Sequence, residues 1–497
     1  MTENRTILVT GATGYVGARL VTRLLAKGYR VRATGRSIER LRKHPCADQP
    51  GVDLFPADAL DPASIAKACE GCAAAYYLVH SMIPGGGEFE EKDRQAGQNM
   101  ARAAAEAGLS RLIYLGGLGE ENPDLSRHLR SRSEVAEILS AGKTPVTILR
   151  AAMILGAGSA SFEILRYLVD RLPVIITPKW VNTECQPIGI RNVLDYLVGS
   201  LRTPGTAGGT FDIGGPEVVT YLDLMRTYAC EAGLPPRLVI RVPVLTPRLS
   251  SYWIHLVTPV HAEVARPLAE GLSNRVVCQD TRIRDLVPVE LSTCREAIHA
   301  ALGPMNFRYP QADHPPGWIP RETYRYPGDP PWAGGTSYRD TRRLSVRATP
   351  AEVWKGIEAL GGKKGWYSAN WLWSLRGFLD RVCGGIGMRK GDREGGPLSP
   401  GAEVDFWRAV SVTPQRELRL LAEMKLPGDG ILSFRLRETD PGTTELTQTV
   451  QFLPRGLGGM AYWALFDPFH RLVFPGLILG IARSTGRPIV SGPERVK

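Results

Sequence analysis

The chain has 497 residues, 43% of them apolar and 22% charged, with a net charge of +11. That length predicts about three domains with apolar content enough for a core in each. Eight scattered cysteines read as reduced thiols of a cytosolic protein, nothing resembles a secretory leader, and the lack of a dense lysine tract argues against nucleic acid as a partner.

The run Thr6-Ile7-Leu8-Val9-Thr10 reads as a strand and leads directly into Gly11-Ala12-Thr13-Gly14-Tyr15-Val16-Gly17. An amphipathic helix carrying Val16, Leu20, Leu24 and Leu25 follows and stops at Gly28. A glycine triplet between strand and helix predicts a dinucleotide site. Gly11 makes the tight turn, Gly14 lets backbone approach a pyrophosphate, and Gly17 lets the helix pack close, while the helix N-terminus favours phosphate. The alternative is a glycine-rich turn without a nucleotide.

Further strands are predicted at 29–34, 52–55, 73–80, 111–115 and 146–150, with helices at 62–69, 88–107 and 125–141 between them. This alternation predicts a doubly wound α/β parallel sheet covered on both faces. The second strand ends in Gly35-Arg36-Ser37 with Arg40 and Arg42 behind, where NAD sites place a carboxylate, so NADP(H) is favoured over NAD(H). Asp58 and Ala59 after the third strand, and Leu78 and Val79 after the fourth, complete the expected cofactor contacts with Thr13, Tyr15 and Val16. Cys69 and Cys72 form a CxxC without a second pair, and no metal is assigned.

Residues 1–303 make one domain, with a substrate-side region from about 151. The Pro-rich segment 304–335 is read as a linker. Beyond it, Thr349-Pro350-Ala351-Glu352 is a capping box opening a helix to about Leu360. Alternating runs at 403–412, 416–423, 431–438 and 445–453 predict an antiparallel sheet. The apolar stretch 459–483 predicts a helix kinked or broken at Pro468 and Pro475 and closing a cavity against the sheet; its most apolar part, 472–482, is about half the length a membrane span needs and reads as buried, with a membrane-surface helix as the alternative. Residues 384–396 read as a mobile glycine-rich loop or hairpin, and 486–497 as a tail. Residues 331–497 hold 24 basic against 16 acidic side chains, whereas 1–150 hold 20 against 17. A solvated basic face accounts for that excess in a cytoplasmic chain; attraction to anionic lipid headgroups or acidic ligands, and with it peripheral association with the inner membrane, is the alternative left open.

With Asn99 and Leu149-Arg150, the glycine motif resembles the short-chain dehydrogenase/reductase superfamily, over about residues 5–300 and chiefly its atypical, NmrA-like branch. NADPH-binding accessory subunits of respiratory complex I are similar. The resemblance implies a Tyr and a Lys four residues later, helped by a Ser; here those positions read His128, Arg132 and Gly116-Gly117. His128 and Arg132 share one helix face, so acid–base work by His128 and ribose binding by Arg132 are expected, with His80 and Ser81 as further proton donors. Tyr77, Met153 and Ile154 are expected on the substrate side, with Trp180 and Gln186-Pro187-Ile188 as a further wall.

Residues 336–485 resemble the polyketide-cyclase/START-like helix-grip superfamily, on Gly365-Trp366-Tyr367, Asp405-Phe406-Trp407-Arg408 and Glu423–Gly428. That resemblance implies an α+β domain enclosing a hydrophobic ligand, and six of the ten tryptophans fall between Trp354 and Trp463. Together these readings predict an NAD(P)H-dependent oxidoreductase for a hydrophobic carbonyl, enone or quinone. The missing Ser, Tyr and Lys keep a non-catalytic sensor or assembly scaffold open, and the second domain keeps a lipid-binding or transfer protein open.

Overall fold

Seven parallel strands build the first sheet: β1 (Thr6–Val9), β2 (Arg30–Gly35), β3 (Val52–Pro56), β4 (Cys72–Tyr77), β5 (Leu112–Gly117), β6 (Val146–Ala151) and β7 (Thr210–Ile213). Their order is β7-β6-β5-β4-β1-β2-β3. The computed structural model describes residues 5–80, 88–119, 126–177, 179–242, 254–302, 328–362, 364–388 and 397–496. These fall into two units, 5–302 with 328–335, and 336–496.

The central strands β1, β4, β5 and β6 are largely apolar and buried on both faces because helices cover both. On one side α1 (Tyr15–Ala26) and the later helix Ile190–Arg202 bury Leu20, Val21, Leu24, Val193 and Leu197 against the sheet. On the other, α2 (Pro62–Cys69), α3 (Glu88–Glu106) and α4 (Arg127–Ser140) bury Ile65, Met100, Ala104, Val135 and Leu139. The chain reverses direction of winding between β1 and β4, which opens a crevice at the carboxyl ends of those two strands.

Residues 304–327 of the predicted linker lie outside the described residues. The rest, 328–335, is no linker but part of the first unit. Asp329 pairs with Arg19 at 2.8 Å, and the Trp332 carbonyl accepts from the Tyr167 hydroxyl at 2.8 Å. Buried Glu163 accepts from the amides of Gly158, Gly334 and Gly335 at 2.8, 3.0 and 3.1 Å. Composition alone does not reveal such anchors, because a Pro/Gly-rich segment satisfies its backbone wherever side chains reach it.

The second unit has a seven-stranded sheet, not four strands: β8 (Tyr338–Val346), β9 (Glu403–Val404), β10 (Trp407–Thr413), β11 (Glu417–Ala422), β12 (Gly428–Asp440), β13 (Thr443–Pro454) and β14 (Ile489–Val496). The order is β9-β10-β11-β12-β13-β8-β14, antiparallel throughout. The predicted run 403–412 is two strands, since Asp405 (φ 55°) and Phe406 turn the chain so that Val404 faces Trp407. The predicted tail is β14, an edge strand, the position in a sheet that tolerates Pro493.

Among the described residues three helices complete this unit: α5 (Pro350–Glu358), α6 (Asn370–Val382) and α7 (Gly456–Arg483). The capping box at α5 forms as read. Against expectation, α7 runs unbroken through Pro468 and Pro475. Tertiary packing overrides the prolines. Added Cβ atoms at Gly459, Gly476 and Gly480 would lie 2.2 Å from the Pro427 oxygen, 2.0 Å from Ser368 Oγ and 2.2 Å from Tyr367 Cβ, so α7 is clamped along its length. Its later half is the predicted buried helix, with Val473, Phe474, Leu477, Ile478 and Ile481 in a core beside Trp366, Trp373 and Phe406.

Candidate functional site

The glycine turn sits at the carboxyl end of β1, in the crevice. Gly11 has φ +69°, and a Cβ there would lie 2.5 Å from the Leu78 carbonyl oxygen. A Cβ on Gly17 would lie 2.2 Å from the Gly11 oxygen, so both positions exclude any side chain. Gly14 is the N-cap of α1, and no side chain caps that end. The first amides of α1 therefore point outward as an anion cradle.

The neighbouring strand ends converge on this turn. Thr10 Oγ1 donates to the Tyr76 carbonyl at 3.0 Å and accepts from the Leu78 amide at 3.3 Å, which fixes Leu78 and Val79 beside Gly11. Thr13 would touch a Cβ on Gly35 at 3.1 Å, which puts the end of β2 against the turn. Arg36 follows and is exposed. The Ala57 amide donates to the Gly35 carbonyl at 3.1 Å, bringing Asp58 and Ala59 alongside. Asp58 Oδ1 accepts from the Leu60 amide at 3.1 Å, and Asn99 Nδ2 donates to the carbonyls of Ala59 and Leu60 at 3.0 and 3.2 Å. Val16 packs partly against the sheet core, and the Tyr15 ring lies under the Arg19 guanidinium at 4.1 Å. The Tyr15 hydroxyl is buried, and burial pushes it above its ordinary range.

His80, His128 and Arg132 come together, although 48 and 52 residues separate the first from the others. Arg132 Nη1 donates to His80 Nε2 at 2.5 Å, which leaves the imidazole proton on Nδ1. Burial, then the Arg132 charge, then His128 hold His80 well below the usual imidazole range. Burial and Arg132 push His128 down to about 3. Both rings are therefore neutral near pH 7. This corrects the expectation of proton exchange near neutrality: an imidazolium at either position is disfavoured by desolvation and by a fixed cation. A neutral ring still donates a hydrogen bond, and the guanidinium still offers a charge.

Two partners of this cluster escape the sequence reading. The Tyr114 hydroxyl on β5 donates to the Arg132 carbonyl at 3.3 Å, and Ser131 donates to Asp93 on α3 at 3.2 Å. No spacing relates residues 80, 93, 114 and 132; the parallel sheet brings them together. A Cβ on Gly117 would lie 2.7 Å from Leu129 Cδ2, the end of a flexible side chain that can shift, so packing does not account for the Gly116-Gly117 departure. A space of about 200 Å³ beside them is lined by Gly116, Gly117, Arg132 and Arg150.

The remaining expected residues are dispersed. Tyr77 is buried in the core beside Tyr114, ring centroids 6.0 Å apart, and does not face the crevice as a substrate wall; its alternating partner Tyr76 fills the opposite face. Ile154 packs against the sheet core, and the Met153 carbonyl accepts from the Ile188 amide at 3.0 Å. Gln186 is structural, donating to the Gly215 carbonyl at 2.7 Å and accepting from the Cys278 amide at 3.0 Å. Cys69 is buried and pushed up to about 12 by that burial, and Cys72 is raised likewise. Ser81, the side chain of Trp180 and residues 389–396 lie outside the described residues.

The predicted cavity of the second unit is present. It holds about 510 Å³ between the sheet, α6 and α7, and Trp373, Trp407, Phe452, Trp463 and Phe474 wall it. The indole Nε1 atoms of Trp373 and Trp407 and the Gln451 Oε1 are buried there with no protein partner. Burial and Arg376 push the wall residue His470 down to about 4.

Residues 3–158 match the NmrA-like family, and residues 332–477 match the family described as Protein of unknown function (DUF2867). The Protein BRI1-5 ENHANCED 1 of Arabidopsis thaliana is 38% identical over 97 residues, 18% of this chain and 26% of that protein, so the chain spans about a quarter of that relative. The ceramide reductase of Caulobacter vibrioides is 28% identical over 240 residues, 48% of this chain and 73% of the relative. Among solved structures, the Citrobacter sp. triphenylmethane reductase complexed with NADP(H) is 18% identical with a TM-score of 0.48, covering 60% of this chain and 99% of that one. The N-terminal unit has a Rossmann-like fold and its residues 3–158 are similar to the NmrA-like family, and the C-terminal unit is similar to a family without an assigned function.

Proposed function

We propose that the chain is an NAD(P)H-dependent oxidoreductase for a hydrophobic carbonyl, enone or quinone, with the C-terminal unit binding the apolar molecule. One observation carries this reading: the Gly11–Gly17 turn, Gly35-Arg36, Asp58-Ala59 and Leu78-Val79 converge at the ends of four adjacent strands, and the cluster of His80, His128 and Arg132 follows directly. The reductase named among the similar proteins supports the same class.

A bound dinucleotide supplies the hydride; the protein holds and orients. The α1 amides would seat its pyrophosphate. Arg36, with no carboxylate at the end of β2, suits a 2′-phosphate, so NADP(H) is the favoured form. Arg132 would hold ribose hydroxyls or a developing oxyanion, and the Nδ1–H of neutral His80 would polarise a carbonyl by hydrogen bonding. In the C-terminal unit, two indole donors and one amide acceptor inside an aromatic wall suit an apolar molecule with a carbonyl or hydroxyl group.

The test is NADPH oxidation by the purified full chain over a panel of quinones, enones and aldehydes, with Arg132→Met and His80→Ala alongside. Removing a donor that acts on developing charge costs about 10²–10³ in kcat, so both variants should lose most turnover. NADPH binding without oxidation on every member would instead favour a sensor that binds the nucleotide and does no chemistry.

A further inference from the structure

Two helices of the C-terminal unit turn apolar side chains outward. On α6, Trp371, Leu375, Phe378 and Val382 recur at helical spacing, and Trp371 and Phe378 are 67% and 63% exposed. Along α7 as far as Leu472, Leu457, Leu465, Phe469 and Leu472 do the same, with Leu465 and Leu472 at 67% and 63%. Asp467 and Arg471, the charged pair of that stretch, bind each other at 2.6 Å. Ordinary surface helices keep their polar side out; these are reversed.

The cavity opens between the same two helices. Leu375 and Leu379 of α6, and Phe466 and Phe469 of α7, line it and continue onto the outward stripes. Arg376 stands at this rim, its Nε 3.0 Å from the Met424 sulfur and its guanidinium 5.7 Å from the ring centres of Tyr462 and Phe466. Exposed Arg381 and Lys425 lie nearby, and Lys425 Nζ donates to the Cys383 carbonyl at 3.0 Å. An apolar face with cations at its edge, continuous with an apolar cavity, has the chemistry of a lipid interface.

We propose that this face docks on the surface of an anionic bilayer, with the cavity mouth toward the lipid. The helix α7 is long and apolar enough to cross a membrane. Its other side holds Trp463, Phe474, Leu477 and Ile478 in the core, so it lies on the bilayer. A second copy of the chain fits less well: a two-fold pairing sets the same patch on both partners, so Arg376, Arg381 and Lys425 would confront like charges. Anionic headgroups complement them, and the excess of 24 basic over 16 acidic residues in 331–497 adds long-range attraction. The proposal is independent of the reductase reading.

The experiment is co-sedimentation of the full chain with vesicles of phosphatidylcholine plus phosphatidylglycerol, and with pure phosphatidylcholine. Wild type should bind the anionic vesicles, more weakly as salt rises. Phe378→Glu with Leu465→Glu should cut the bound fraction at least about tenfold, and Leu465→Gln by less, since binding scales with apolar area and charge. These side chains are exposed, so thermal midpoint and NADPH uptake should not move; both are read on the same preparation, which separates a docking failure from a cofactor failure. Absence of vesicle binding, or binding indifferent to the substitutions, overturns the proposal. So does a vesicle-free dimer that the same substitutions dissociate, which would assign the face to a second copy.

Discussion

At the residue scale, the molecule is shaped by what cannot be tolerated. Gly11 and Gly17 leave no space for a Cβ, because backbone lies 2.5 and 2.2 Å from where it would stand. The imidazoles are the counterpart, polar groups placed where charge is costly. In the unfolded chain His128 protonates near its ordinary 6.5, whereas in the folded chain it does so only near 3. The unfolded state thus binds more protons between those values, and stability is full above pH 6.5 and falls as acid approaches pH 3. Imidazole NMR should show His128 neutral throughout pH 5–8. Arg132→Leu removes the nearby cation and should raise the titration of both His128 and His80; a His128 that titrates near 6.5 in wild type would refute this account.

At the element scale, local signals hold where the whole signal is local. Thr349, Pro350 and Glu352 lie within one turn, and the box closes as read, with Glu352 held down to about 2 by the Thr349 amide, Arg487 and the Thr349 hydroxyl. Thr349→Ala should lower the stability of the C-terminal unit by about 1 kcal/mol in urea unfolding. Glu352 supports the cap above its ordinary 4.5, and that contribution should fade as pH drops toward about 2. The helix α6 gives the opposite lesson. Its apolar residues do share a face at helical spacing, but that face, with Trp371, Leu375, Phe378 and Val382, is exposed while Trp373, Gly377 and Asp380 are buried, so periodicity alone would assign the wrong side to the core. The strand β14 hides similarly behind a Gly-Pro step that only a sheet edge accepts.

At the scale of the whole molecule, two units each carry a core, and the segment 328–335 fastens the first. Arg19 and Asp329 are 9% and 4% exposed, so their pairing is a buried one. Asp329→Asn leaves the Arg19 charge undercompensated and should destabilise the N-terminal unit by about 3–5 kcal/mol. Calorimetry should show that loss in one thermal transition, with the transition of the C-terminal unit unmoved. NADPH should raise only the transition that Asp329→Asn lowers, by about 2.7 kcal/mol at a hundredfold excess over its dissociation constant. A single transition responding as one to both would refute the independence of the two units.

The order of strands and helices in the first unit, its glycine turn and the outline of the second unit were legible in the amino-acid order. Each is encoded in short windows of periodicity, glycine placement and capping, which need no distant partner. The tertiary structure alone decided that His80 meets Arg132, that Tyr77 faces the core, that Asp329 holds Arg19, and that α6 and α7 expose apolar stripes around a cavity mouth. Those facts depend on which elements become neighbours, on desolvation and on the charges that burial sets side by side, and none of these is a property of any stretch of chain by itself.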